Sequence, residues 1–221
     1  VRAPVPRTAA RSSTPTPKPT APPAPAAIGA SATAVGAQVA VHAAPGGAVI
    51  ETLANPQPSG APLTFLVAST QGDWLQVDLA QRPNGSTGWI QDDTVTLRSL
   101  VYSLRASTEQ NTLTLLKNGT PVKTYAAATG TGGTPTPRGS FYITELLQPT
   151  NDGYGPYAFG LSAFSDVLSS FGGGPGQIGL HGTNDAASIG HAASHGCIRL
   201  ANPDITELAR LLPLGTPITI D

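Results

Sequence analysis

Cys197 is the only cysteine in a chain of 221 residues, and it stands in Ser194-His195-Gly196-Cys197-Ile198-Arg199, sixteen positions after His181 in Gly179-Leu180-His181-Gly182-Thr183-Asn184. A lone thiol cannot close a disulfide within its own chain, so it is either a small apolar filler or a reactive group. At its ordinary pKa of about 8.5 a thiol is little ionised at neutral pH, and a nucleophilic role calls for a base or a positive neighbourhood. Two histidines compete for that task. His195 is two residues away, about 6.6 Å along an extended strand, which is awkward for a direct hydrogen bond. His181 comes from a separate segment that can be laid face to face with the thiol, so the spacing favours His181 as base and leaves His195 a supporting role. A sharp turn at His-Gly-Cys keeps His195 open as the alternative.

Gly196 suits a backbone that must bend or approach a substrate closely, and the N–H groups of Gly196 and Cys197 are candidate donors to a tetrahedral oxyanion. Gly182 brings no side-chain acceptor, so a main-chain carbonyl or Asn184 must orient the base. Arg199 carries a planar fork of donors suited to a carboxylate, although an ordinary arginine there would merely pair with a surface acid. His181, His191, His195 and Cys197 are all zinc-ligand types. Their spacing matches no familiar zinc pattern, so the expectation is a thiol nucleophile with no metal and no cofactor, with zinc ligation and inert burial of Cys197 as competing readings. His191 reads as a loop residue and His42 as structural.

Three compositional regions must position these groups. Residues 1–33 are rich in Pro, Ala, Thr and Ser, and are expected to be a disordered tether. Residues 34–98 hold short β-type runs, such as Leu63-Thr64-Phe65-Leu66-Val67-Ala68 and Trp74-Leu75-Gln76-Val77-Asp78-Leu79, with a tight-turn signal at Asn84-Gly85. Gly72-Asp73-Trp74-Leu75-Gln76-Val77, followed by Gly88-Trp89-Ile90, resembles a bacterial SH3-like domain. In so small a barrel Trp89 is expected in the core, while Trp74 could lie in the core or on a ligand-binding surface.

Residues 99–221 open with alternating strands and an Asn118-Gly119 hairpin turn. The Gly- and Pro-rich stretch from Gly130 to Gly139 lacks the lysine and spacing of a phosphate-binding loop. One helix is predicted over 202–212, with Asn202 as N-cap, Pro203 at its first position, and Ile205, Leu208, Leu211 and Leu212 on one face.

With these residues in view, Gly179-Leu180-His181-Gly182-Thr183-Asn184 and Ser194-His195-Gly196-Cys197-Ile198-Arg199-Leu200 look like the signature of the L,D-transpeptidase catalytic domain family, also called the YkuD domain. Thr134-Pro135-Thr136-Pro137-Arg138-Gly139-Ser140-Phe141 and Tyr154-Gly155-Pro156-Tyr157-Ala158-Phe159-Gly160-Leu161 extend the resemblance over the whole third region. It implies a mainly β catalytic domain with a mixed sheet and one or two short helices, behind the small barrel. It further implies a cysteine acyl-enzyme that releases the terminal D-alanine of a peptidoglycan tetrapeptide stem. The acyl group then passes to the third-residue amine of a neighbouring stem, or to water in a carboxypeptidase. Cys197, His181, Gly182, His195 and Gly196 would form the catalytic set, with the Gly182 carbonyl holding the base. Ser194, Arg199, Tyr157 and Phe159 would meet the substrate, and carbapenem-type β-lactams would be covalent inhibitors. A non-catalytic wall-binding protein is the reading from another class.

Lys and Arg number 12 against 13 Asp and Glu, which leaves no basic stripe for nucleic acid. No run of eighteen or more apolar residues occurs in the sequence. An extracytoplasmic monomer at the cell wall is expected, its targeting or anchoring segment lying outside this sequence.

Overall fold

Alternating burial marks several strands in both halves of the chain, Gln38–His42 and Thr112–Lys117 among them, in the computed structural model, which describes residues 28–170 and 174–221. The tether expected over residues 1–27 lies outside the described residues. In the first half, β1 (Gly29–Ala34), β2 (Gln38–His42), β3 (Val49–Ala54), β4 (Thr64–Gln71), β5 (Trp74–Asp78), β6 (Thr87–Gln91) and β7 (Val95–Leu100) form one antiparallel sheet. Its order is β3-β2-β6-β5-β4-β1-β7. Val39, Val41, Phe65, Leu75, Val77 and Ile90 supply the core on its inner face.

Two expectations change here. Gly29–Ala34, all but its last residue assigned by composition to the tether, is a strand between β4 and β7. Its Gly-Ala-Ser-Ala-Thr-Ala sequence shares the tether's composition, yet these small side chains fit a close approach in which Ser31 and Ala32 are buried. Trp89 is not in the core, because Gly88 and Ile90 take the inward positions of β6 and alternation turns the indole outward. Trp74 lies on the same outer face, its ring edge-on to His42 at 4.8 Å. The tight turn expected at Asn84-Gly85 is present, with Ser86 N–H donating to the Pro83 carbonyl at 3.2 Å and Gly85 at φ of 82°, inside the 79–86 connection from β5 to β6. From that turn Asn84 reaches Phe164, accepting from its N–H at 2.9 Å and donating to its carbonyl at 2.8 Å.

The second half builds a mixed sheet in the order β10-β9-β8-β17-β12-β13-β14-β16. Its strands are β8 (Tyr102–Ser107), β9 (Thr112–Lys117), β10 (Thr120–Ala126), β12 (Gly139–Leu147), β13 (Ala158–Phe164), β14 (Gln177–His181), β16 (Ile198–Arg199) and β17 (Pro217–Ile220). A separate parallel pair joins β11 (Thr129–Gly130) to β15 (Ala192–Ser194). The β9–β10 turn has φ of 50° at Asn118 and 77° at Gly119, the two positive angles a type I′ turn demands. Helix α1 (Asn202–Leu211) starts with proline in its first turn, and buries Ile205 and Leu208 against the sheet's core.

The two sheets share a bonded seam. Arg82 donates to the carbonyls of Ser165, Leu168 and Pro175 at 2.7, 2.9 and 3.1 Å, and Gln57 donates to that of Thr144 at 3.0 Å.

Candidate active site

The nucleophile stands on a turn between β15 and β16 that glycine makes possible. Gly196 has φ of +120°, and a Cβ there would sit 3.0 Å from Ile178 Cδ1. The Ser194 hydroxyl braces the turn, donating to the Cys197 carbonyl at 2.5 Å and accepting from the Gly196 N–H at 3.1 Å. The stretch after β11 forms the turn's outer support, with Thr131 N–H donating to the Ser194 carbonyl at 3.0 Å. The Gly-Pro-rich loop therefore buttresses the nucleophile.

Cys197 Sγ accepts the Gly179 N–H at 3.3 Å. Burial pushes the thiol's pKa up, against the smaller opposing effects of that hydrogen bond and the Arg199 charge. The resting nucleophile is a neutral thiol.

His181 ends β14, and only 4% of it is exposed. Its Nδ1 lies 2.6 Å from the Gly182 carbonyl oxygen, which can only accept, so Nδ1 carries the proton and Nε2 keeps a basic lone pair. Desolvation lowers its pKa to about 4, with Arg199 adding to the effect and the Gly182 bond opposing it. Around a Cβ built on Gly179, His181 Cδ2 lies at 3.5 Å and Cys197 Sγ at 3.8 Å, so base and thiol flank one glycine. Neutral thiol beside neutral imidazole of fixed tautomer is the ground state of a general-base pair.

Gly182 is itself fixed by packing. A Cβ there would collide with Asn202 Oδ1 and lie 3.1 Å from Gly155 Cα. Its N–H donates to the Tyr157 carbonyl at 3.2 Å, and Asn202 Oδ1 accepts from Thr183 N–H at 3.0 Å. Asn202 was expected to cap α1, but Ala201 occupies that place and Asn202 ties the helix to the base's loop.

Two cavities meet at the pair. One, about 410 Å³, runs over β12, β13 and β14 and includes Glu145, Gly160, Gly179, His181 and Cys197. The other, about 360 Å³, includes Tyr154, His181, His195, Cys197 and Arg199. Arg199 is the β16 partner of His181, and its Nε is buried with no hydrogen-bond partner among the described residues.

The sequence profile described as the L,D-transpeptidase catalytic domain matches residues 102–220, more than half of the chain. The chain belongs to the L,D-transpeptidase catalytic domain family. Among relatives, it is 39% identical over 123 residues to "Putative L,D-transpeptidase YkuD" of Bacillus subtilis (strain 168), covering 56% of this chain and 68% of that protein. The namesake in Bacillus licheniformis is 39% identical over 122 residues, covering 55% and 67%. A solved L,D-transpeptidase from Mycobacterium tuberculosis H37Rv aligns at 18% identity with a TM-score of 0.47, over 64% of this chain and 74% of that one.

Within this L,D-transpeptidase unit the expected site residues separate into groups. Cys197, His181, Gly182 and Arg199 come together, and His195 is an exposed wall of the second cavity. Gly196 shapes the turn, but its N–H is engaged by Ser194, so it is not the open oxyanion donor expected. Ser194, expected at the substrate, is buried with its hydroxyl held by the nucleophile's turn. Phe159 is fully buried opposite Leu180 and borders the first cavity from within the core, without an exposed ring. Tyr157 packs against the same core and acts through its carbonyl on Gly182.

Sequence reasoning missed Tyr154, whose ring lies 4.6 Å from that of His181 and borders both cavities. The signal was the turn-rich Asn151-Asp152-Gly153-Tyr154-Gly155, where Gly155 has φ of +63° and seats against Gly182.

Proposed function

We propose that Cys197 and His181 carry the L,D-transpeptidase reaction of this chain on peptidoglycan as a two-step acyl transfer. Cys197 Sγ attacks the carbonyl between the third residue and the terminal D-alanine of a donor stem, while His181 Nε2 takes the thiol proton. Collapse of the tetrahedral adduct breaks the C–N bond, and the imidazolium returns the proton to the departing D-alanine amine. The amine of a neighbouring stem's third residue then attacks the thioester, His181 takes its proton, and the C–S bond breaks to restore the thiol. With Gly196 N–H engaged, the Cys197 amide is left to stabilise the oxyanion. Arg199, which borders the second cavity, pairs with the carboxylate of the terminal D-alanine.

The observation that carries this reading is the 2.6 Å bond from His181 Nδ1 to the Gly182 carbonyl, because it leaves Nε2 as the base beside the lone thiol. The expected products from a defined tetrapeptide stem and an amine acceptor are free D-alanine and a cross-linked dimer, both lost in Cys197→Ala. Release of D-alanine without dimer would assign water as the acceptor and sink the transpeptidase step. A carbapenem is expected to add its mass to Cys197 by the same attack, its strained amide replacing the stem's.

The substrate sets the location, and the protein works outside the cytoplasmic membrane at the cell wall. The seven-stranded unit over residues 29–100 acts as an SH3-like module bonded to the catalytic unit that follows it.

A further inference from the structure

One row of residues crosses the sheet under the nucleophile. Gly179 of β14 opposes Gly160 of β13, and Gly160 opposes Glu145 of β12. Directly opposed residues share a face, so all three look into the cavity that holds Cys197. Cys197 Sγ lies 3.8 Å from a Cβ built on Gly179, and Glu145 Oε1 lies 2.6 Å from one built on Gly160. The two glycines therefore leave a strip of bare backbone with the thiol at one end and a carboxylate at the other. The thiol stands over the Gly179 position and the carboxylate oxygen over that of Gly160, one cross-strand step of about 5 Å away.

Glu145 occupies this face because of a bulge. The β12–β13 register shifts between Ile143 and Glu145. Ile143 is fully buried in the core, and plain alternation would have put Glu145 beside it on the core face. The extra residue, Thr144, turns Glu145 to the site face instead. Thr144 is pinned there by Gln57, which donates to its carbonyl at 3.0 Å, and by Gln177, which donates to its hydroxyl at 3.2 Å. Among the described residues no hydrogen bond or ion pair engages the Glu145 carboxylate, while Leu147 and Ala158 border the cavity beside it.

In the reaction proposed above, the accepting amine belongs to the third residue of a stem, so the donor's own third residue carries the same amine. During acylation that amine is idle, and it projects from the residue whose carbonyl is bonded to Sγ. An extended four-carbon side chain carries its ammonium about 6 Å from its Cα, the reach needed to cross the glycine strip from the thioester. We propose that Glu145 binds the side-chain ammonium of the donor's third residue, so that the site selects donor stems with a diamino acid at that position. The inference rests on the transpeptidase reading and specifies its donor.

The test compares two synthetic tetrapeptide donors on the full chain, one with lysine at the third position and one with norleucine, which has the same stem without the amine. D-alanine release gives kcat/KM for each. The wild type is expected to favour the lysine donor by about tenfold or more, as a charge-assisted hydrogen bond allows. Glu145→Gln should bring the ratio close to one, and Glu145→Lys should favour a third-position glutamate donor over lysine. Equal use of the lysine and norleucine donors by the wild type, or an equal fall on both in Glu145→Gln, would overturn the proposal while leaving the transpeptidase reading intact. A folded wild type that releases D-alanine from neither donor would overturn that reading and the proposal together.

Discussion

His181 and Gly182 are consecutive in the chain, and the Nδ1 of the first lies 2.6 Å from the carbonyl oxygen of the second. So short a loop from a ring to its own neighbour's carbonyl forms only when the backbone turns back beside the ring. Gly155 and Asn202 enforce that turn by packing where a Gly182 side chain would be. The orientation of the base thus depends on Asn202 of α1, the turn at Gly155 and the absence of one Cβ.

The rate of Cys197 acylation by a carbapenem, followed by mass, should show its acid limb near pH 4 rather than near 6.5, since His181 is the proton acceptor and its pKa is lowered to about 4. His181→Ala should slow acylation by about 10²–10⁴-fold, and His195→Ala by far less. An acid limb near 6.5 that disappears in His195→Ala would transfer the role of base to the exposed histidine.

Stability should carry the same signature. The folded-state pKa of His181 lies below its usual 6.5, so the neutral form is the one folding favours. Its stabilising contribution is complete above about pH 6.5 and is lost as pH falls through about 4, because the unfolded chain binds the proton first. The loss is on the order of 3 kcal/mol. Urea titrations of wild type and His181→Gln at pH 7 and pH 4.5 should show a larger acid loss in the wild type.

Gly182→Ala should damage both fold and chemistry. The added methyl meets Asn202 Oδ1, Gly155 Cα and Ile205 Cγ2, so the loop must move and the carbonyl that holds His181 moves with it. A destabilisation of about 1–3 kcal/mol is expected, with acylation slowed at temperatures where the protein is still folded. Thermal melts and stopped-flow acylation separate the two effects. Normal acylation in a folded Gly182→Ala would mean that the carbonyl does not orient the base.

The sequence made the nucleophile and base legible because their chemistry is local: one thiol, one glycine beside it, and a histidine on another segment. The Asn118-Gly119 hairpin was legible for the same reason, its angles being set by two residues. Phe159, Ser194 and Glu145 were not. Phe159 and Glu145 owe their faces to pairing across β12, β13 and β14, and the bulge at Thr144 leaves no local mark in Tyr142-Ile143-Thr144-Glu145. Ser194 looks like a ligand-facing hydroxyl until the turn it braces is seen. Gly29–Ala34 failed for a different reason, since its composition matches the segment before it and only packing distinguishes a strand of small residues from a tether.

The bonds from Arg82 and Asn84 to the second sheet carry the last prediction. Asn84 satisfies both the N–H and the carbonyl of Phe164, at the end of β13, and Phe164 is 7% exposed. Removing the amide in Asn84→Ala leaves both groups poorly solvated, at a cost of about 1–3 kcal/mol. For a chain of this size each kcal/mol lowers the melting temperature by about 2–4 °C. Arg82→Ala removes three charge-assisted contacts, one of them to the carbonyl of buried Ser165, and the guanidinium's contact with the Phe164 ring, so its effect should be at least as large. Neither side chain borders the two cavities at Cys197, and carbapenem acylation at 25 °C should stay within about twofold of wild type in both variants. A large fall in acylation with an unchanged melting temperature would show instead that the seam sets the position of β14 and, through it, of His181.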